Sequence, residues 1–164
     1  MEDGKEEYND GKLWRKRMRL YLDVCCLGRP FDDLSQGRVY LEAEAVLSIV
    51  SQCESGEWIL LSSGAIDYEI EQIPDSETKE KIHALYSSAT EHHNVTQELA
   101  SRAKEFQASN IGHFDSLHMA IAEDANVDVM LTTDDKLIKQ ALKTDVMIRV
   151  SNPVTWLMEV TDNE

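Results

Sequence analysis

Hydrophobic positions along this chain change period several times, and each change marks an element. Leu20 to Leu22 is a short apolar run that ends in Asp23, the pattern of a buried parallel strand delivering one carboxylate at its C-terminal end. Residues 58–61, 127–131 and 146–150 are further apolar runs and predict three more strands. Between them the spacing lengthens. Val39, Val46, Ile49, Val50 and Cys53 fall on one helical face, which Ser55-Gly56 stops. A short helix after Ser62-Ser63-Gly64 carries Asp67, Glu69 and Glu71 until Pro74 ends it. Residues 76–88 and 96–109 predict two helices, with Ile82, Leu85 and Tyr86 inward on the first and Leu99, Ala103 and Phe106 on the second. After the break at Asn110-Ile-Gly112, residues 114–125 resume as a helix through Leu117, Ala120 and Ile121. Leu137, Ile138, Ala141 and Leu142 mark another, and Pro153 opens a last one at its first position. Residues 24–37, with Gly28, Pro30 and Asp32-Asp33, read as a loop, and Glu91-His92-His93-Asn94 as a polar connection. Strands alternating with helices imply a parallel sheet covered on both faces.

The 164 residues suit one domain with a real core. No apolar run approaches the roughly 18 residues of a membrane span, and the N-terminus lacks the pattern of an export signal, so the expectation is a soluble, cytoplasmic protein. Three cysteines, Cys25, Cys26 and Cys53, have neither disulfide nor metal-ligand spacing and read as reduced. A net charge of -15 argues against unassisted binding to nucleic acid, since phosphate affinity comes from Lys and Arg. Residues 1–17, acidic first and then basic, are expected to be a disordered N-terminal extension to a domain over residues 18–164.

Four carboxylates stand at corresponding places in this layout. Asp23 follows the first strand, Glu69 lies in the helix after the second, Asp115 opens the central helix, and Asp134 follows the third strand. Right-handed crossovers put these junctions on one edge of a parallel sheet, where the acids can converge. Gathered like charges either raise their pKa values or bind cations, and hard oxygen ligands suit Mg2+ or Mn2+. Each acid also reads as a local cap, and Asp23 taken alone fits either role.

The context of each acid carries a resemblance. Leu-Asp23-Val after the first strand, Ser-Ser-Gly-Ala-Ile-Asp-Tyr-Glu69, Phe-Asp115-Ser-Leu-His-Met-Ala-Ile-Ala and Leu-Thr-Thr-Asp134-Asp-Lys-Leu together resemble the signature segments of the PIN-domain nucleases, in order, over about residues 18–160. The resemblance implies a PIN-like three-layer α/β sandwich, its central parallel sheet of four to five strands covered by helices on both faces. It implies that Asp23, Glu69, Asp115 and Asp134 hold one or two Mg2+ or Mn2+ ions, with Asp23 nearest the attacking water, and that Ser62 and Thr132 steady them. Asp135 reads as an extra ligand or as the cap of the next helix. Arg29, Lys136 and Lys139 read as phosphate contacts or as solvated charge. His118, a turn after Asp115, reads as a donor to the acids or as a satisfied helix histidine. Val24-Cys25-Cys26 departs from the family, which usually carries Thr or Ser and then Asn there.

The function implied is a metal-dependent endoribonuclease comparable to the toxin of a VapC-type toxin-antitoxin pair. Its expected partners are an RNA substrate, an antitoxin protein and a second copy of the chain, with no membrane. The alternative is a catalytically weak module that keeps the fold to bind a metal or a partner. A phosphatase using Asp23 covalently would want a second Asp two residues on, where Cys25 stands.

Overall fold

The computed structural model describes residues 7–9, 12–14 and 16–162. Most of the predicted extension over residues 1–17 therefore lies outside the described residues. Its two described pieces, β1 (Glu7–Asn9) and β2 (Lys12–Trp14), pair antiparallel as a separate ribbon. The main sheet contains β3 (Arg19–Leu22), β4 (Ile59–Ser63), β5 (Glu91–His93), β6 (Val129–Leu131) and β7 (Arg149–Ser151). All pairings are parallel and the spatial order is β5-β4-β3-β6-β7.

The central strands show why the sheet must be covered on both sides. Leu20, Tyr21 and Leu22 are all 0 % exposed, as are Val129, Met130 and Leu131. Neighbouring strand residues point to opposite faces, so burial of every one in a row requires a helical layer on each. Those layers come from α1 (Val24–Gly28), α2 (Gly37–Glu54), α3 (Gly64–Glu71), α4 (Ser76–Tyr86), α5 (Gln97–Gln107), α6 (His113–Asp124), α7 (Asp135–Ala141) and α8 (Pro153–Asp162). None of the described helices is long and apolar enough to cross a membrane.

The hydrophobic face predicted for α2 is the one that packs, through Val46, Ile49, Val50 and Cys53. The helix ends in a paired backbone motif: Gly56 N–H donates to the Cys53 carbonyl at 3.1 Å and Glu57 N–H to the Gln52 carbonyl at 3.0 Å. That closure needs a left-handed residue, and Gly56 supplies it at φ 84°. Gly56→Ala is therefore expected to destabilise the fold by about 1 kcal/mol, read as a lower denaturation midpoint at unchanged slope.

Two segments differ from the sequence expectation. Residues 24–28 form α1 rather than a loop, followed by a 3-10 turn at Arg29–Phe31, because the Asp23 carboxylate caps the Cys26 amide and starts a helical turn. Glu91–His93 is not a surface connection but β5, the sheet's edge strand. Its polarity is that of an edge whose side chains find partners. Glu91 pairs with Arg19 at 2.7 Å, His92 Nδ1 lies 2.7 Å from the Ser62 hydroxyl, and His93 Nε2 lies 2.7 Å from Asp124.

Candidate active site

From β3 the chain builds outward to β4 and β5, then crosses back to place β6 on the other side of β3. The strand order reverses between β3 and β6, and open α/β sheets bind their ligands in the crevice beyond the carboxyl ends of two such strands. Asp23 follows β3 and Thr132 follows β6, with the Asp23 N–H donating to the Leu131 carbonyl at 3.2 Å. The switch point thus carries the first predicted acid and one predicted hydroxyl.

Asp23 is 3 % exposed. Its Oδ1 accepts from the Cys26 N–H at 3.0 Å, whereas its Oδ2 is buried with no hydrogen-bond partner among the described residues. Burial pushes the Asp23 carboxyl up from its ordinary range, against the opposing pull of the Thr132 hydroxyl and the Cys26 N–H. Burial and the Asp23 charge also push the adjacent Cys25 thiol up to about 12, which keeps it protonated and removes it as a nucleophile at neutral pH.

Asp115 stands in the first turn of α6, half-buried, where the N-cap is Gly112 and offers no side chain. Its carboxyl is raised first by burial, then by the charge of Asp23, with Asp134 and Glu69 adding to it and His118 opposing. Residues far apart along the chain therefore act on one another through a common field. Asp23, Asp134 and Glu69 all bear on Asp115, Asp23 the most strongly.

Glu69, on α3, is held by a hydrogen bond from His118 Nε2. The His118 ring is 1 % exposed, and its Nδ1 lies 2.6 Å from the Tyr21 hydroxyl, itself 2.9 Å from the Ser63 hydroxyl. Ser63 Oγ in turn accepts the Ile66 N–H at 3.2 Å and caps α3. With Glu69 accepting at Nε2, Tyr21 donates to Nδ1 and Ser63 to Tyr21, so every proton in the chain is used. His118 is thus both of the things expected of it, a buried helix histidine and a donor to an acid. It ties α6 to α3 and to β3.

Ser62 does not steady the acids. Its hydroxyl donates to the Glu91 carbonyl at 3.1 Å, on the β5 side, and the next residue, Ser63, supplies the inward hydroxyl. Thr132 is fully buried and accepts from the Asp134 N–H at 3.2 Å. Asp134 is exposed and caps α7, accepting from the Lys136 and Leu137 N–H groups at 3.0 and 3.3 Å. The cap expected of Asp135 is therefore Asp134. Asp135 instead forms a two-pronged pair with Arg38, both contacts 2.7 Å, and turns away from the acids.

Arg29 is engaged by carboxylates of the chain itself. Its guanidinium lies 3.1 and 3.0 Å from Glu42 Oε1 and 3.1 Å from Asp32. Glu42, a helix acid that sequence reasoning passed over, is 1 % exposed and also receives Asn152 Nδ2 at 2.6 Å and Arg38 Nε at 3.5 Å. Lys136 and Lys139 are exposed on α7.

A divalent cation can be tested against these groups. Among the described residues no three His, Cys, Asp or Glu side chains gather closely enough to hold one metal ion. The donor chemistry nevertheless fits a hard cation. The available atoms are carboxylate oxygens, one of them the unpartnered Oδ2 of Asp23, and Mg2+ commonly takes only one or two protein carboxylates and keeps its waters.

No family model matches the chain. No curated protein matches it either. Solved structures do. PAE2754 from Pyrobaculum aerophilum superposes with a TM-score of 0.52 at 14 % identity, over 88 % of this chain and 90 % of that one. VapC20 of Mycobacterium tuberculosis, a sarcin-ricin loop cleaving toxin, superposes with a TM-score of 0.55 at 12 % identity, over 79 % of this chain and 98 % of its own. Identities this low carry the likeness to the architecture and no further, and that architecture is the PIN-domain fold.

Proposed function

We propose that this chain is a metal-dependent endoribonuclease that hydrolyses RNA phosphodiester bonds, with Asp23 and Asp115 as the carboxylates that hold Mg2+ or Mn2+. The observation that carries the reading is the buried Oδ2 of Asp23 at the switch point of the sheet, unpartnered among the described residues, with the Asp115 carboxyl raised in part by the Asp23 charge. Such a cation, when bound, lowers the pKa of a water and offsets charge developing on the attacked phosphate. Glu69, oriented by His118, and the exposed Asp134 would supply further carboxylate oxygens as acceptors for water held by such an ion. The Thr132 hydroxyl favours the charged form of Asp23, against the burial that raises its pKa.

The RNA class is supported by the likeness to VapC20, and a VapC-type toxin role in the cytoplasm follows as part of the same proposal. A homodimer and an antitoxin that inserts a basic side chain among the acids are its expected partners. The test is cleavage of single-stranded RNA in Mg2+ and Mn2+, before and after chelation, by the parent and by Asp115→Asn. The parent is expected to cut only with metal, and the variant to lose at least about a hundredfold in rate. Equal rates from parent and variant would overturn the assignment.

A second reading is favoured by one feature: the described acids do not close into a three-ligand cage. On that reading the chain binds a cation or a partner without turnover. Calorimetric uptake of Mn2+ by a parent that cuts no RNA would select it.

A further inference from the structure

On α3 and α6, each of the residues directly before Glu69 and Asp115 is an exposed aromatic. Tyr68 is 54 % exposed and Phe114 is 40 % exposed. Their rings stack on one another, centroids 5.8 Å apart and planes 16° from parallel, and His113 packs edge-on against Phe114 at 5.5 Å. Turns of two different helices therefore hold a ring pair directly before Glu69 on α3 and Asp115 on α6. Mutual stacking uses one face of each ring, His113 packs against Phe114, and both side chains keep exposed area, Tyr68 the more.

The charges of the protein narrow what this pair can hold. The net charge is -15, and Arg19, Arg29, Arg38, Arg102 and Arg149 each engage carboxylates of the chain itself. Affinity for RNA through phosphate neutralisation is correspondingly poor. A base stacked on an aromatic ring needs no positive charge, is not weakened by salt in the same way, and is worth about tenfold or more per base. Only an unpaired nucleotide has a free face to offer, because in a duplex each base is already stacked.

Building on the nuclease reading above, we propose that Tyr68 and Phe114 form a stacking platform for an unpaired base of the RNA next to the bond to be cut, which makes the chain selective for single-stranded segments. The two rings set the position of the strand. The acids one residue further on face the phosphate that follows.

The experiment measures binding of fluorescently labelled hexaadenylate in Mg2+ to the full chain carrying Asp23→Asn, which keeps the RNA whole, and to the same protein with Tyr68→Ala, Phe114→Ala or Tyr68→Phe. Each alanine variant is expected to bind about tenfold more weakly and Tyr68→Phe to bind as well as its parent, with thermal melts unchanged. With Asp23 restored, the alanine variants are expected to show a raised KM at similar kcat on a single-stranded RNA. Alanine variants that bind hexaadenylate as tightly as their parent would overturn the platform, and would leave the nuclease reading standing if metal-dependent cleavage persists. Alanine variants that lose only self-association would overturn it too, by placing a second chain on the rings. A parent that neither binds nor cuts RNA would overturn both.

Discussion

Asp23→Asn is expected to reduce RNA cleavage by at least about a hundredfold while leaving the protein folded. Asparagine keeps the oxygen that accepts the Cys26 N–H, so the cap of α1 survives, and it removes a buried charge whose second oxygen has no partner. Asp23→Ala would lose the cap as well, at about 1 kcal/mol. The sign of the pH dependence follows from the direction of the shifts. Asp23 and Asp115 are both raised in the fold, so the stability they allow is fully present below the ordinary carboxyl pKa and is lost as pH rises through the raised values. Without metal, the parent should therefore melt below Asp23→Asn at neutral pH. The gap should close as the pH falls below the ordinary carboxyl pKa of about 4, where both states bind the proton. Mn2+ should narrow it at neutral pH by offsetting the repulsion. Melting curves across pH, with and without Mn2+, check this. A gap that widened on acidification, or a variant that cut RNA at the parental rate, would contradict the role given to Asp23.

Arg29→Met is expected to destabilise the protein by about 2 to 4 kcal/mol without a specific effect on RNA. Arg29 is the main counter-charge of Glu42, which is 1 % exposed and would otherwise keep, among the described residues, Asn152 and the more distant Arg38 Nε at 3.5 Å. Stranding a buried carboxylate costs more than the intact pair contributes. The double variant Arg29→Met/Glu42→Met should therefore recover much of the loss. Urea denaturation of the single and double variants measures it. If Arg29 contacted phosphate instead, the single variant would keep its stability and bind RNA more weakly, with a salt dependence shallower by about one ion.

The fate of Arg29 shows how far local pattern reaches. An arginine in a Gly-Pro-Asp stretch reads as surface charge, and a glutamate within an amphipathic helix reads as solvated. Their pairing spans 13 residues and forms only when α2 folds against the turn after α1. The serines make the same point at finer scale. Ser62 and Ser63 are equivalent in composition, but alternate strand residues face opposite sides, so the register of β4 sends one hydroxyl to β5 and the other to Tyr21. Two signals in the sequence could have found the inward network. Tyr21 lies inside an otherwise apolar strand and needs a partner for its hydroxyl when buried, and Ser63 directly precedes a helix and so stands where a cap is needed.

Edge strand β5 was hidden for the opposite reason. Nothing buries it on the outer side, so it lacks the apolar period of its neighbours, and its pairing rests on backbone bonds and on partners such as Arg19 and Asp124. By itself the sequence determined the elements whose burial is written in their periodicity, together with the carboxylates that interrupt or follow those apolar runs, because both depend on residues a few positions apart. Only the tertiary structure decided that the order of strands reverses between β3 and β6, that Asp23 and Asp115 press on one another there, and which side chains answer the buried polar groups. Crossovers, register and the low dielectric of the interior join positions across a hundred residues, and no window along the chain contains them.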